Sequence, residues 1–134
     1  MGVRREDLEV GATRFLTYLE REKNYSLQTI RAYRSDLLQF LNYGQEIGWI
    51  EIDRNEVSQF IVLLMRYGLD SRSVARKLSV LKSFFKYLIM MGRLERNPAK
   101  GIRTPKLKKR LPKFLTIAQA NEAMALTVRR RDRA

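Results

Sequence analysis

Apolar residues recur every three or four positions in four stretches of the chain, and turn-forming residues separate the stretches. The first runs from about Arg5 to Glu22, with Leu8, Ala12, Phe15, Leu16 and Leu19 in register; Asn24 and Tyr25 end it. The second opens at Ser26, an N-cap type whose hydroxyl can accept from a free backbone N–H of the first turn. Its stripe is Ile30, Tyr33, Leu37, Leu38 and Leu41, and Gly44 or Gly48 closes it. The third follows Asp53 or Asn55, carries Val57, Phe60, Ile61, Leu64 and Met65, and stops at Gly68. The fourth follows Ser71 or Ser73, carries Val74, Leu78, Leu81, Phe85 and Leu88, and stops at Gly92. No segment reads as a β-strand. Four amphipathic helices with short connections predict an all-α, compact four-helix bundle of about 90 residues, because no apolar stripe can be left in water. Trp49, the phenylalanines and most tyrosines read as its core.

The character changes at Asn97. "NPAKGIRTPKLKKRLPK" has prolines at 98, 105 and 112 and a glycine at 101. Proline at that density prevents regular helix, and the charge opposes burial. Residues 97–115 therefore read as a basic linker after a helical domain of residues 1–96. A short terminal helix is predicted from Thr116 to about Val128, where "TIAQ" fits a capping box closed by Gln119. Its apolar content (Ile117, Ala120, Ala123, Met124, Leu126) is thin, so it needs a partner.

Charge sharpens this division. Net charge is +13, yet residues 1–70 hold nine Lys/Arg against eleven Asp/Glu. Residues 71–121 hold fourteen Lys/Arg and a single acid, Glu95. A positive field concentrated in this way implies a polyanionic partner. Other chemistry is limited by what is missing. With no cysteine, disulfides and thiolate metal sites are excluded; with no histidine, the commonest general base and metal ligand are gone. No Gly-rich phosphate loop or metal cluster appears, and carboxylates such as Glu20, Glu22, Glu51 and Asp53 read as exposed charge. No cofactor and no small-molecule substrate are expected. No apolar run approaches the roughly 18 residues of a membrane span, and the chain is expected to be cytoplasmic, with no membrane partner.

On a helical wheel of about 100° per residue, the fourth helix's apolar stripe falls within about 40° of one direction. Arg72, Arg76, Ser79, Ser83 and Lys86 fall opposite, with Lys82 on the flank. Short hydroxyl side chains between long cations suit close approach to a nucleic-acid groove, where Lys and Arg reach phosphates and base edges. The second helix has a weaker polar face of Gln28, Arg31, Ser35, Gln39 and Asn42, with Arg34 nearer the core edge.

Three pieces in order carry a resemblance to a known family. "YSLQTIRAYRSDLLQFLNY" (Tyr25 to Tyr43) resembles the second helix of the N-terminal domain of Xer-type tyrosine recombinases, and "SRSVARKLSVLKSFFKYLIMMGRLERNPAKGI" (Ser71 to Ile102) its fourth helix and exit. "PKLKKRLPKFLT" (Pro105 to Thr116) resembles the linker leading into the catalytic domain. The resemblance covers about residues 5–120 and implies a core-binding, SAM-like bundle that grips double-stranded DNA as half of a C-shaped clamp. By position in the motifs, the DNA contacts would be Gln28, Thr29, Arg31 and Arg34 on the second helix. On the fourth they would be Arg72, Arg76, Lys77, Lys82 and Lys86, followed by Lys100, Arg103, Lys106, Lys108, Lys109 and Arg110 along the exit and linker. Thr29 serves equally well as a local cap. The full-length parent would act as a tetramer on DNA, with first-helix contacts between neighbours.

The resemblance also implies chemistry located elsewhere. The family's catalysis uses two arginines, a lysine, one or two histidines and a tyrosine nucleophile, mostly beyond the point where this chain stops. All six tyrosines here lie between positions 18 and 87. The tail "RRRDRA" (Arg129 to Ala134) resembles the lead-in to the catalytic domain, so residues 116–134 read as its truncated start. The chain alone is therefore expected to cut no DNA, whether it is a separately expressed first domain or a naturally shortened reading frame. Two other readings remain open: a stand-alone DNA-binding accessory or regulatory protein, and a helical protein-interaction module with a basic arm. Under any of them "LIMMG" (Leu88 to Gly92) is either core or a docking patch.

Overall fold

Four helices carry residues 2–104, the part of the chain described by the computed structural model. They are α1 (Arg5–Arg21), α2 (Leu27–Ile47), α3 (Arg54–Arg66) and α4 (Ser71–Met90). Each forms where the apolar spacing places it, and the fold class is the all-α bundle expected.

The ends are set by local chemistry. Ser26 caps α2, its Oγ accepting from the Thr29 N–H at 3.1 Å. Asp53 caps α3 in a capping box, its own N–H donating to Glu56 Oε1 at 2.7 Å. The cap of α4 is Asp70 rather than Ser71 or Ser73: its Oδ1 accepts from the Ser73 N–H at 2.7 Å, which holds the carboxyl below the usual aspartate range. The first turn of α1 has no side-chain cap, and Glu6 and Asp7 there offset the helix dipole instead.

Gly48, not Gly44, closes α2, with a left-handed φ of 88°. Gly44 is buried within the helix against the Trp49 ring. Leu38, expected in the α2 stripe, is 42 % exposed, and Phe40 takes its place in the core. The reason is register: Leu37, Phe40, Leu41 and Gly44 follow the three-four repeat, whereas Leu38 lies about 100° off it.

The helices alone do not close the domain. A two-residue strand β1 (Val3–Arg4) pairs antiparallel with β2 (Glu51–Ile52), in register Val3 to Ile52. The Arg5 N–H extends this ladder to the Ile50 carbonyl at 3.0 Å, and Arg5 Nε donates to the Trp49 carbonyl at 2.9 Å. The start of the chain is thereby fastened to the α2–α3 connection. Two residues are too few to show alternation, so no strand was predicted.

α4 is the most enclosed helix. Val80, Phe84 and Tyr87 are buried as well as the expected stripe. Phe84 lies between the Phe15 and Phe85 rings, with centroids 5.5 Å away in each case. Phe40 meets Phe60 edge-on at 5.1 Å and Trp49 at 5.7 Å. Aromatic rings fill the core as expected. At the end of α4, "LIMMG" divides: Leu88 is buried, while Met90 and Met91 are exposed.

The segment after Asn97 does not behave as a free linker at its start. Pro98, Ala99 and Ile102 are buried, and their apolar bodies outweigh the neighbouring charge. Packing thus extends past residue 96 to Ile102. The rest of the expected linker and the terminal helix from Thr116 lie outside the described residues.

Candidate nucleic-acid interface

α4 carries Arg72, Arg76, Lys77, Lys82 and Lys86 and no acid. Arg72, Arg76 and Lys86 are exposed, and Lys82 is half-buried. The burial of Val80, Phe84 and Tyr87 narrows the cationic arc but leaves it uninterrupted by negative charge.

Lys77 is placed differently from the expectation. Its ammonium lies 2.7 Å from Asp36 Oδ1, and only 11 % of its side chain is exposed. Asp36 sits on α2 with 3 % exposure and also accepts from Arg76 Nη2 at 3.3 Å. The wheel puts Lys77 about 60° from the centre of the apolar stripe, close enough to the core edge to be drawn inward. Lys77 is therefore half of a buried ion pair joining α2 to α4. Removing one partner of such a pair costs about 3–5 kcal/mol, because the other charge is stranded.

Asp36 was not singled out from sequence. The available signal was a carboxylate on the flank of the α2 stripe, three residues after Tyr33 and four before Phe40. Asp36 Oδ2 and Gln39 Oε1 are buried without a hydrogen-bond partner among the described residues, so Gln39 belongs to this seam more than to an outer polar face. One turn nearer the start of α2, the half-buried Tyr33 ring meets Tyr25 edge-on, with centroids 5.8 Å apart. Burial, followed by the neighbouring Tyr25, raises the Tyr33 pKa above that of an ordinary phenol. Ser83 on α4 is only half exposed.

The exit turn brings a further cation to α4. Asn97 Nδ2 donates to the Lys82 carbonyl at 3.1 Å, and Asn97 Oδ1 accepts from the Ala99 N–H at 2.9 Å. Arg54 Nη1 holds the Lys100 carbonyl at 3.0 Å. A shallow cleft of about 290 Å³ results, lined by Lys82, Ser83, Lys86, Asn97, Lys100 and Gly101. Neither Asn97 nor Arg54 was predicted to matter; the Asn-Pro pair at 97–98 was the available turn signal.

The remaining predicted residues are less concentrated. Gln28, Thr29 and Arg31 are exposed near the start of α2, and Thr29 Oγ1 lies 2.8 Å from Ser26 Oγ, within the cap. Arg34 lines the groove between α1 and α2 with Glu9 and Thr13, on the flank away from Asp36. Arg103 is exposed, while Lys106, Lys108, Lys109 and Arg110 lie outside the described residues. No helix among the described residues is long and apolar enough to cross a membrane.

Comparison with known proteins agrees with this architecture. The family described as phage integrase, N-terminal SAM-like domain, matches residues 12–92. The tyrosine recombinase XerC of Vibrio cholerae serotype O1 is 36 % identical over 117 residues, covering 85 % of this chain and 38 % of that protein. The XerC of Vibrio parahaemolyticus is 38 % identical over 114 residues (83 % and 37 %), and that of Chlorobaculum parvum 35 % over 130 residues (87 % and 39 %). The chain spans less than two-fifths of the length of these relatives. No solved structure gives a significant match. The four-helix core and the matched span together show that the chain belongs to the phage integrase N-terminal SAM-like domain family.

Proposed function

We propose that this chain is the DNA-binding domain of a site-specific tyrosine recombinase, gripping one arm of a recombination site in duplex DNA. The observation that carries the reading is the acid-free cationic arc of α4, continued by Lys100 across the cleft at the exit turn. Exposed Arg72, Arg76 and Lys86 supply phosphate contacts, with Lys82 and Lys100 at the cleft and Gln28, Thr29 and Arg31 approaching from α2. Lys77 is left out, because its charge is already matched inside the domain. Strand cleavage belongs to the part of the recombinase beyond this chain; the domain's role is to place the duplex. The full-length protein works as a tetramer on DNA, with exposed Val10 on α1 and Met91 beside it in one groove available to neighbouring copies.

The test is fluorescence-anisotropy binding to a short duplex carrying a candidate arm, to a scrambled duplex and to single-stranded RNA, over a range of salt. Neutralising about six phosphates gives a slope of log affinity on log salt near about −5. Duplex-selective binding with that steepness is expected. A slope near zero, or equal binding to RNA, would overturn the reading.

A further inference from the structure

We infer that Asp36 is a positioning residue for the interface proposed above, holding the Arg76 guanidinium at the α2–α4 seam so that a DNA phosphate meets it already ordered. The inference rests on that functional reading.

The geometry divides the labour at one carboxylate oxygen. Asp36 Oδ1 receives Lys77 Nζ at 2.7 Å and Arg76 Nη2 at 3.3 Å. Lys77 is enclosed and sufficient by itself to match the buried charge. Arg76 is 60 % exposed, and an ion pair at such a site adds little stability after solvent screening. Yet its end is tied to a carboxylate that cannot move, because that carboxylate is itself buried and pinned by Lys77. One carboxylate facing two cations leaves a surplus positive charge, and the surplus sits on the exposed partner. A guanidinium has five N–H donors in a planar fork, and the bond to Asp36 uses Nη2. Its other donors stay accessible on the arc shared with Arg72 and Lys86. Ordering a long side chain before binding removes a cost that would otherwise be met on binding.

The test compares Asp36→Asn, Arg76→Ala and the double variant. In the Arg76-containing background, Asp36→Asn should weaken duplex binding about three- to tenfold, the equivalent of ordering one long side chain. In the Arg76→Ala background the same change should alter affinity less than about twofold. A thermal midpoint lowered in both backgrounds would be the separate effect of stranding Lys77. An independent readout needs no DNA: nitrogen relaxation of the Arg76 Nε–Hε group should show a side chain more ordered in the wild type than in Asp36→Asn. If Asp36→Asn does not fold, Lys77→Met is compared with Asp36→Asn/Lys77→Met, which removes both buried charges together.

An equal loss of affinity in both backgrounds, or equal Arg76 mobility with and without the carboxylate, would overturn the positioning role while leaving DNA binding in place. A wild-type chain that ignores duplex DNA would overturn the functional reading, and the role assigned to Asp36 with it.

Discussion

Gly44 and Trp49 are in contact so close that a Cβ added at position 44 would lie 2.7 Å from the indole Cε3. The Gly44 carbonyl also accepts from the Trp49 N–H at 2.9 Å, so backbone and ring hold each other in place. The Trp49 carbonyl in turn receives Arg5, which leads back to β1. Gly44→Ala tests the contact. Alanine favours helix over glycine by about 1 kcal/mol, but forcing a buried ring to move costs about 1–3 kcal/mol. A net fall in Tm is expected, with a changed Trp49 emission spectrum; a rise in Tm with unchanged emission would show that the methyl is accommodated without displacing the ring.

Asp70 should make α4 acid-sensitive. Its folded pKa is depressed, chiefly by the hydrogen bond from the Ser73 backbone N–H. A depressed carboxylate contributes stability that is present above its unfolded pKa of about 3.9 and fades as pH falls through the folded value. Asp70→Ala should therefore lower Tm at neutral pH, and the gap to wild type should shrink below about pH 4. Asp70→Asn, which keeps an acceptor, should preserve most of the cap without that pH dependence.

Arg72→Ala/Arg76→Ala should weaken duplex binding and leave helical circular dichroism unchanged, because both side chains are exposed and Lys77 still neutralises Asp36. The salt slope should become shallower by about 2, roughly one for each phosphate that is no longer neutralised. A large loss of helical signal would show that these arginines support the bundle.

Asn97→Ala should loosen the exit turn. It removes the side-chain bonds to the Lys82 carbonyl and the Ala99 N–H, worth together about 1–2 kcal/mol. Faster amide exchange at Ala99 and Ile102 and weaker duplex binding through Lys100 are expected. Unchanged exchange would mean that Pro98, Ala99 and Ile102 hold the turn by packing alone.

Much of this architecture was legible in the sequence. The helix positions followed from the three-four repeat, and Ser26 announced its own capping role because that chemistry is local. What escaped was chemistry joining residues far apart in the chain. Asp36 and Lys77 are 41 positions apart, and nothing near either one reveals that a core carboxylate and a flank lysine will meet. The same holds for Val3 with Ile52 and for Arg54 with the Lys100 carbonyl. Leu38 misled because an apolar side chain beside the stripe looks like part of it. The cationic arc was readable because charge sign survives any change of register.

The turn at Asn97 to Ile102 has a mechanical consequence. The Lys100 carbonyl is held by Arg54 from α3, Asn97 is fastened to α4, and Ile102 is seated in the core. The chain therefore leaves the bundle from a fixed point and in a fixed initial direction, held as far as Ile102. A pull or twist applied downstream reaches α3 and α4 together through this anchor. The handle by which the domain can be turned is attached beside the cations proposed to meet DNA.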